Sequence, residues 1–152
     1  MFSKNFPILV LVLLLGGFFV KPVEARVIPV RVPASAEWVD SGIDVVDGEI
    51  YTFKAKGMAI TGPLNEYPGA ISGPEGQVTL CGIDGGYVPG QTCVLYGEPF
   101  GALIGKIGGG GAFLIGDASS FTAGATGRLF LAVNDFEGTY FDNLAGFTVI
   151  FK

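Results

Sequence analysis

Three side-chain oxygen donors, Asp135, Asp142 and Asn143, fall within nine residues of one another inside the segment Asn134 to Gly146. A hard cation such as Ca2+ takes roughly six to eight oxygen ligands, drawn from carboxylates, amides, backbone carbonyls and water. The two aspartates supply the charge that matches such an ion, and Asn143 adds a neutral donor. Gly138 lets the chain turn, so that backbone carbonyls near Thr139 face the same point. Asn-Asp and Asp-Asn pairs are also ordinary turn formers. Spacing alone leaves both readings open.

Composition excludes much of the remaining chemistry. The chain has 152 residues and no His, which removes imidazole-based catalysis and every zinc site that needs it. The run Gly101 to Lys106 has three residues between its glycines and Ile107 after its Lys. A phosphate loop needs four there, and a Ser or Thr after the Lys. Four glycines from Gly108 to Gly111, between two apolar stretches, read instead as a hairpin turn. Asp40, Asp44 and Asp47-Gly48 precede the apolar stretch at Ile50 and read as turn residues. Glycoside hydrolysis needs a pair of carboxylates, and no two acids are set apart from the others, so an enzyme is not expected. With 9 basic against 14 acidic residues and no basic cluster, nucleic acid and anionic membranes are poor partners.

The N-terminus has the pattern of an export signal. Lys4 precedes an apolar run of 14 residues, Pro7 to Val20, and Val23 and Ala25 stand where signal peptidase reads small residues. A membrane-spanning helix needs about 20 residues, so the run is too short for a permanent anchor. The expected organisation is a signal peptide over 1–25 and one domain over 26–152, exported to the periplasm, cell surface or medium and free of the membrane after cleavage. Cys81 and Cys93 are the only cysteines. In an oxidising compartment they are expected to form a disulfide, whose loop closure is worth roughly 3 kcal/mol.

Apolar residues in the remaining chain alternate, or form short runs bounded by Gly, Asp and Pro. Strands are expected at Val27 to Val32, Glu37 to Asp40, Ile50 to Ala55, Met58 to Ile60, Val78 to Cys81, Leu103 to Ile107, Ala112 to Ile115, Leu129 to Val133 and Phe147 to Phe151. No window carries the stripe of an amphipathic helix. About eight short strands with turn-punctuated spacing predict an all-β sandwich of jelly-roll type. The donor segment then lies at one rim, between two of the best strands.

Three stretches together carry a resemblance to a known family. They are Asn134-Asp135, Gly138-Thr139-Tyr140, Asp142-Asn143, Gly146, Phe147 and Val149; Gly57-Met58-Ala59-Ile60-Thr61-Gly62-Pro63; and Gly101-Ala102-Leu103-Ile104-Gly105-Lys106-Ile107-Gly108. In this order they resemble the PA-IL-like family, calcium-dependent galactophilic bacterial lectins with a small, galactose-binding-domain-like jelly roll. The resemblance implies a Ca2+ held by the side chains of Asp135, Asp142 and Asn143 and by the backbone carbonyls of Thr61 and Thr139. Thr61 replaces an aromatic of the family, which a carbonyl ligand tolerates.

The resemblance further implies that vicinal sugar hydroxyls complete the coordination sphere, with Asp135, Phe136, Asp142 and Asn143 forming the sugar site and a galactose-type sugar as ligand. Asp142 stands where the best-known members carry Asn, so tighter ion binding is expected. Phe136 replaces a smaller apolar residue that packs on the sugar, and would either stack on the ring or narrow the pocket. The family's His contact has no counterpart, and the longer region Leu64 to Phe100 offers Asn65, Glu66, Tyr67 and Gln77 as polar substitutes. Weak affinity at a single site would favour a homo-oligomer that gains avidity. The competing expectation is a calcium-stabilised structural or adhesion module that binds no sugar.

Overall fold

The computed structural model describes residues 27–62, 71–83 and 90–152. The expected signal peptide therefore lies outside the described residues, as do Asn65, Glu66 and Tyr67. The described residues form two antiparallel sheets and no α-helix. Nine strands build them: β1 (Ile28–Pro33), β2 (Val39–Val45), β3 (Ile50–Ile60), β4 (Ile71–Ser72), β5 (Leu103–Ile107), β6 (Phe113–Leu114), β7 (Ser120–Thr122), β8 (Gly127–Val133) and β9 (Leu144–Phe151). One sheet runs β1-β9-β3-β4, with β7 added against the start of β3, and the other runs β2-β8-β5-β6. This is the all-β sandwich that the alternation predicts.

The period-two pattern explains which faces meet. In β1, Val30 and Val32 point inward; in β9, Phe147, Val149 and Phe151 do; in β8, Leu129, Leu131 and Val133 are wholly buried from the opposite sheet. Each such side chain contributes about 1.5–3 kcal/mol on leaving water. Phe53 and Phe113 pack on Phe121 of β7, and Phe151 packs on Phe53, in tilted ring contacts of 5.6–6.1 Å at the end where β3 begins. The opposite end, where β3 and β8 finish and β9 starts, is left for loops.

Several elements depart from the sequence reading. Ile50 to Ala55 and Met58 to Ile60 form one strand, because Gly57 bends the backbone without breaking it. Gly57 has φ +115°, and a Cβ there would lie 2.5 Å from Gly146 O. Val78 to Cys81 is not a strand: a single bridge, Leu80 to Pro99, is all that forms. The chain turns back at once, with Cys81 N–H donating to Glu98 O (2.9 Å) and Phe100 N–H to Thr79 O (2.9 Å). Asp40 and Asp44 are strand residues rather than turn residues. They flank a bulge in β2 and both reach Arg128 of β8, at 3.6 and 3.1 Å. Exposed as they are, these pairs contribute at most about 1 kcal/mol. Asp47-Gly48 is a turn, and the Gly108 to Gly111 run closes the β5–β6 hairpin, as expected.

Gly146 marks the tightest approach in the sandwich. It pairs with Pro33 on one side and Met58 on the other, at φ +144°, and a Cβ there would collide with Val32 O. Gly146→Ala is expected to cost roughly 2 kcal/mol or more, read as a lowered urea midpoint. Gly124→Ala, which meets open space, is the control and should leave that midpoint nearly unchanged.

Candidate functional site

The donor residues gather at the rim where β3, β8 and β9 end or begin. Continuing the β3–β9 register past Ile60↔Leu144 sets Thr61 beside Asn143. The Asn143 side chain locks that juxtaposition: its Oδ1 accepts from Gly62 N–H at 2.9 Å, while its Nδ2 donates to Ala34 O at 3.1 Å and to Asp135 Oδ2 at 2.7 Å. Two acceptors on one side and a donor on the other fix how the amide sits. The other Asp135 oxygen, Oδ1, accepts from Phe136 N–H at 2.6 Å. Asp135 sits on the first turn out of β8 and is only 3% exposed.

From Gly138, at φ +78°, the chain enters a single 3-10 turn, Tyr140–Asp142. Thr139 precedes that turn, its hydroxyl donating to Phe136 O at 2.9 Å. The turn carries Asp142 back towards Asp135. Burial pushes the Asp135 carboxyl above its usual range; the Asn143 and Phe136 hydrogen bonds oppose this, and the negative charge of Asp142 adds to it. Asp142 is half-buried. Neither carboxylate has a cationic side chain within ion-pair reach among the described residues, where Arg128 makes the only salt bridges.

The structure thus brings together Thr61, Asp135, Thr139, Asp142 and Asn143. No group of three or more His, Cys, Asp or Glu side chains suited to a metal occurs among the described residues, so amide and backbone oxygens would have to complete any cation site. The chemistry of the set fits a hard cation: two carboxylates, the buried one of which feels the negative charge of the other, an amide oxygen with one lone pair left, and two neighbouring carbonyl-bearing turns.

Phe136 lies elsewhere. Its ring is 6% exposed, packs on Phe100 at 5.6 Å, and covers the Cys81–Cys93 disulfide, whose Cα atoms are 6.0 Å apart. It is a core residue of the disulfide segment, joined to Cys93 by an isolated bridge. Among the described residues, the aromatic that does face solvent at the rim is Phe141, 83% exposed and directly before Asp142. Nothing in the sequence marks Phe141, because an irregular loop has no period from which to tell an inward ring from an outward one. Asn134, which the sequence offers as a turn former and as part of the family resemblance, is wholly buried and ties down the disulfide segment. Gln77 reaches Thr61 Oγ1 from its Nε2, at 3.3 Å, the one polar substitute of the longer region that the described residues bring to the rim.

Tyr140 follows Thr139 in the same loop and lines a neighbouring groove. Its hydroxyl donates to Val133 O at 3.1 Å. Burial raises its pKa, and the charges of Asp135, Glu37 and Glu137 add to that.

The architecture is that of a lectin-type β-sandwich. A solved structure described as the EclA N-terminal domain, a PllA-like lectin, is similar to this chain at 26% identity and a TM-score of 0.59, over 81% of this chain and 92% of that one. No protein-family model and no curated protein sequence matches the chain. Among the described residues no helix is long and apolar enough to cross a membrane.

Proposed function

We propose that this chain is an exported calcium-dependent carbohydrate-binding protein, with a galactose-type sugar as its ligand. The observation that carries the reading is the convergence of Asp135, Asp142, Asn143 and the Thr61-Gly62 turn at one rim of a lectin-type sandwich. Asp135, Asp142 and Asn143 would hold Ca2+ through side-chain oxygens, and Thr61 and Thr139 through their carbonyls. A bound Ca2+ supplies open coordination positions for vicinal hydroxyl oxygens. The closed Cys81–Cys93 disulfide supports export, since such bonds persist in oxidising compartments.

The residues of the chain do the rest. Asn143 keeps the Asp135 carboxylate and the Thr61-Gly62 turn in register before any ligand arrives, so little ordering remains to oppose binding. Phe141 offers an apolar face beside Asp142, suited to the C–H face of a hexose. Phe141→Ala is expected to weaken sugar affinity about fivefold to tenfold while leaving Ca2+ affinity unchanged, as read by calorimetry.

The test is retention on galactose-bearing and mannose-bearing resins in Ca2+, followed by elution with EDTA. Chelator-sensitive retention on the galactose resin supports the proposal. Thermal stabilisation by Ca2+ without retention on either resin would contradict it and favour a calcium-stabilised structural module, the reading that the burial of Phe136 suits.

A further inference from the structure

An open groove of about 380 Å3 runs beside the rim, with Glu37, Trp38, Lys106, Glu137, Gly138 and Tyr140 in its walls. That volume lies in the range of small-molecule clefts, roughly 300–1,000 Å3. Its walls come from the approach to β2, from β5 and from the same loop that carries Asp135 and Asp142, so rim and groove share the 137–140 segment. Trp38 is the only Trp in the chain, and the Lys106 ammonium lies over its ring, 4.3 Å from the centroid. Glu37 and Glu137 are exposed, and neither they nor Lys106 make a salt bridge among the described residues.

The composition of the walls selects the ligand class. An anion meets two carboxylates, and a cation meets the Lys106 ammonium. A neutral polyhydroxylated ring meets neither obstacle: its hydroxyls donate to Glu37 and Glu137 and accept from Lys106, while its C–H face lies against the part of the half-buried indole that Lys106 leaves uncovered. We infer that the Trp38 groove is a second sugar subsite, which takes the residue linked to the terminal sugar at the rim, so that the protein recognises a disaccharide or longer glycan. This inference rests on the sugar-binding reading of the rim.

Trp38, being unique, reports on the groove without any label. In Ca2+, tryptophan emission and acrylamide quenching are followed while methyl α-galactoside, lactose or melibiose is added. The disaccharides are expected to shift the emission and reduce quenching, and to bind about tenfold more tightly than the monosaccharide. Trp38→Ala, or Trp38→Phe should the first not fold, is expected to bring disaccharide affinity down towards that of methyl α-galactoside and leave the latter unchanged. If the monosaccharide binds, yet the disaccharides bind no more tightly and leave Trp38 emission unmoved, the groove proposal is overturned and the rim reading stands. If no sugar binds in Ca2+, both are overturned.

Discussion

Asp135→Ala is expected to abolish Ca2+ binding and, with it, all retention on glycan. The carboxylate supplies one of two formal charges in the donor set, and its Oδ2 is the acceptor that holds the Asn143 amide in place. Truncation leaves Phe136 N–H without its 2.6 Å acceptor, which costs about 1–3 kcal/mol. Relief of a buried carboxylate beside Asp142 offsets part of this, so the variant should still fold. The measurement is thermal unfolding with and without Ca2+. At 100 times Kd, wild type gains about 2.7 kcal/mol from the ion, and the variant gains nothing.

The same carboxylate sets a pH dependence of opposite sign in the two states. Because the Asp135 pKa is raised on folding, its contribution in chelator is fully present below the unfolded carboxyl's pKa. It is lost as pH rises through the folded value. With Ca2+ the ionised form is the one stabilised, so affinity and melting temperature should instead fall as the solution is acidified.

Asn134→Ala is the second large effect, and it falls on stability. The Asn134 side chain accepts from Leu95 N–H at 3.0 Å and donates to Leu95 O, Glu98 O and Pro99 O at 3.0, 3.3 and 3.1 Å. The residue is wholly buried. Truncation strands Leu95 N–H and Leu95 O around a cavity, while Glu98 O and Pro99 O keep the N–H groups of Cys81 and Ala102; the expected cost is roughly 3–5 kcal/mol. At about 2–4 °C per kcal/mol for a domain of this size, the melting temperature should drop by about 10 °C. Asn134→Asp should be no better, since a carboxylate would face three carbonyl oxygens. A variant that unfolds within a degree or two of wild type would contradict this assignment.

Much of the sandwich is legible because burial on one face writes itself into the sequence with period two. Leu129, Leu131 and Val133 in β8, and Phe147, Val149 and Phe151 in β9, could only be inward rows. The strands that escaped, Ile71–Ser72 and Ser120–Thr122, are too short to show alternation and take their register from β3. Val78 misled for the converse reason: it is apolar yet fully exposed, and the turn around Cys81 leaves no strand for it to join.

At the rim, residue types carried the information and spacing did not. Asp135, Asp142 and Asn143 stood out as oxygen donors and are found together. Whether a neighbouring side chain packs inward depends on tertiary contacts that loop sequence does not encode. Phe136 is buried by the disulfide segment, Phe141 is left outside, and Asn134 spends its polar groups on a loop some 40 positions earlier in the chain.

The most direct measurement is calorimetric titration of Ca2+ into chelator-stripped protein, followed by methyl α-galactoside into the metal-free and loaded forms. One Ca2+ per chain is expected, with galactoside heat only after loading and neither heat in Asp135→Ala. Wild type that takes up no Ca2+, or binds the galactoside equally well in chelator, would contradict the account.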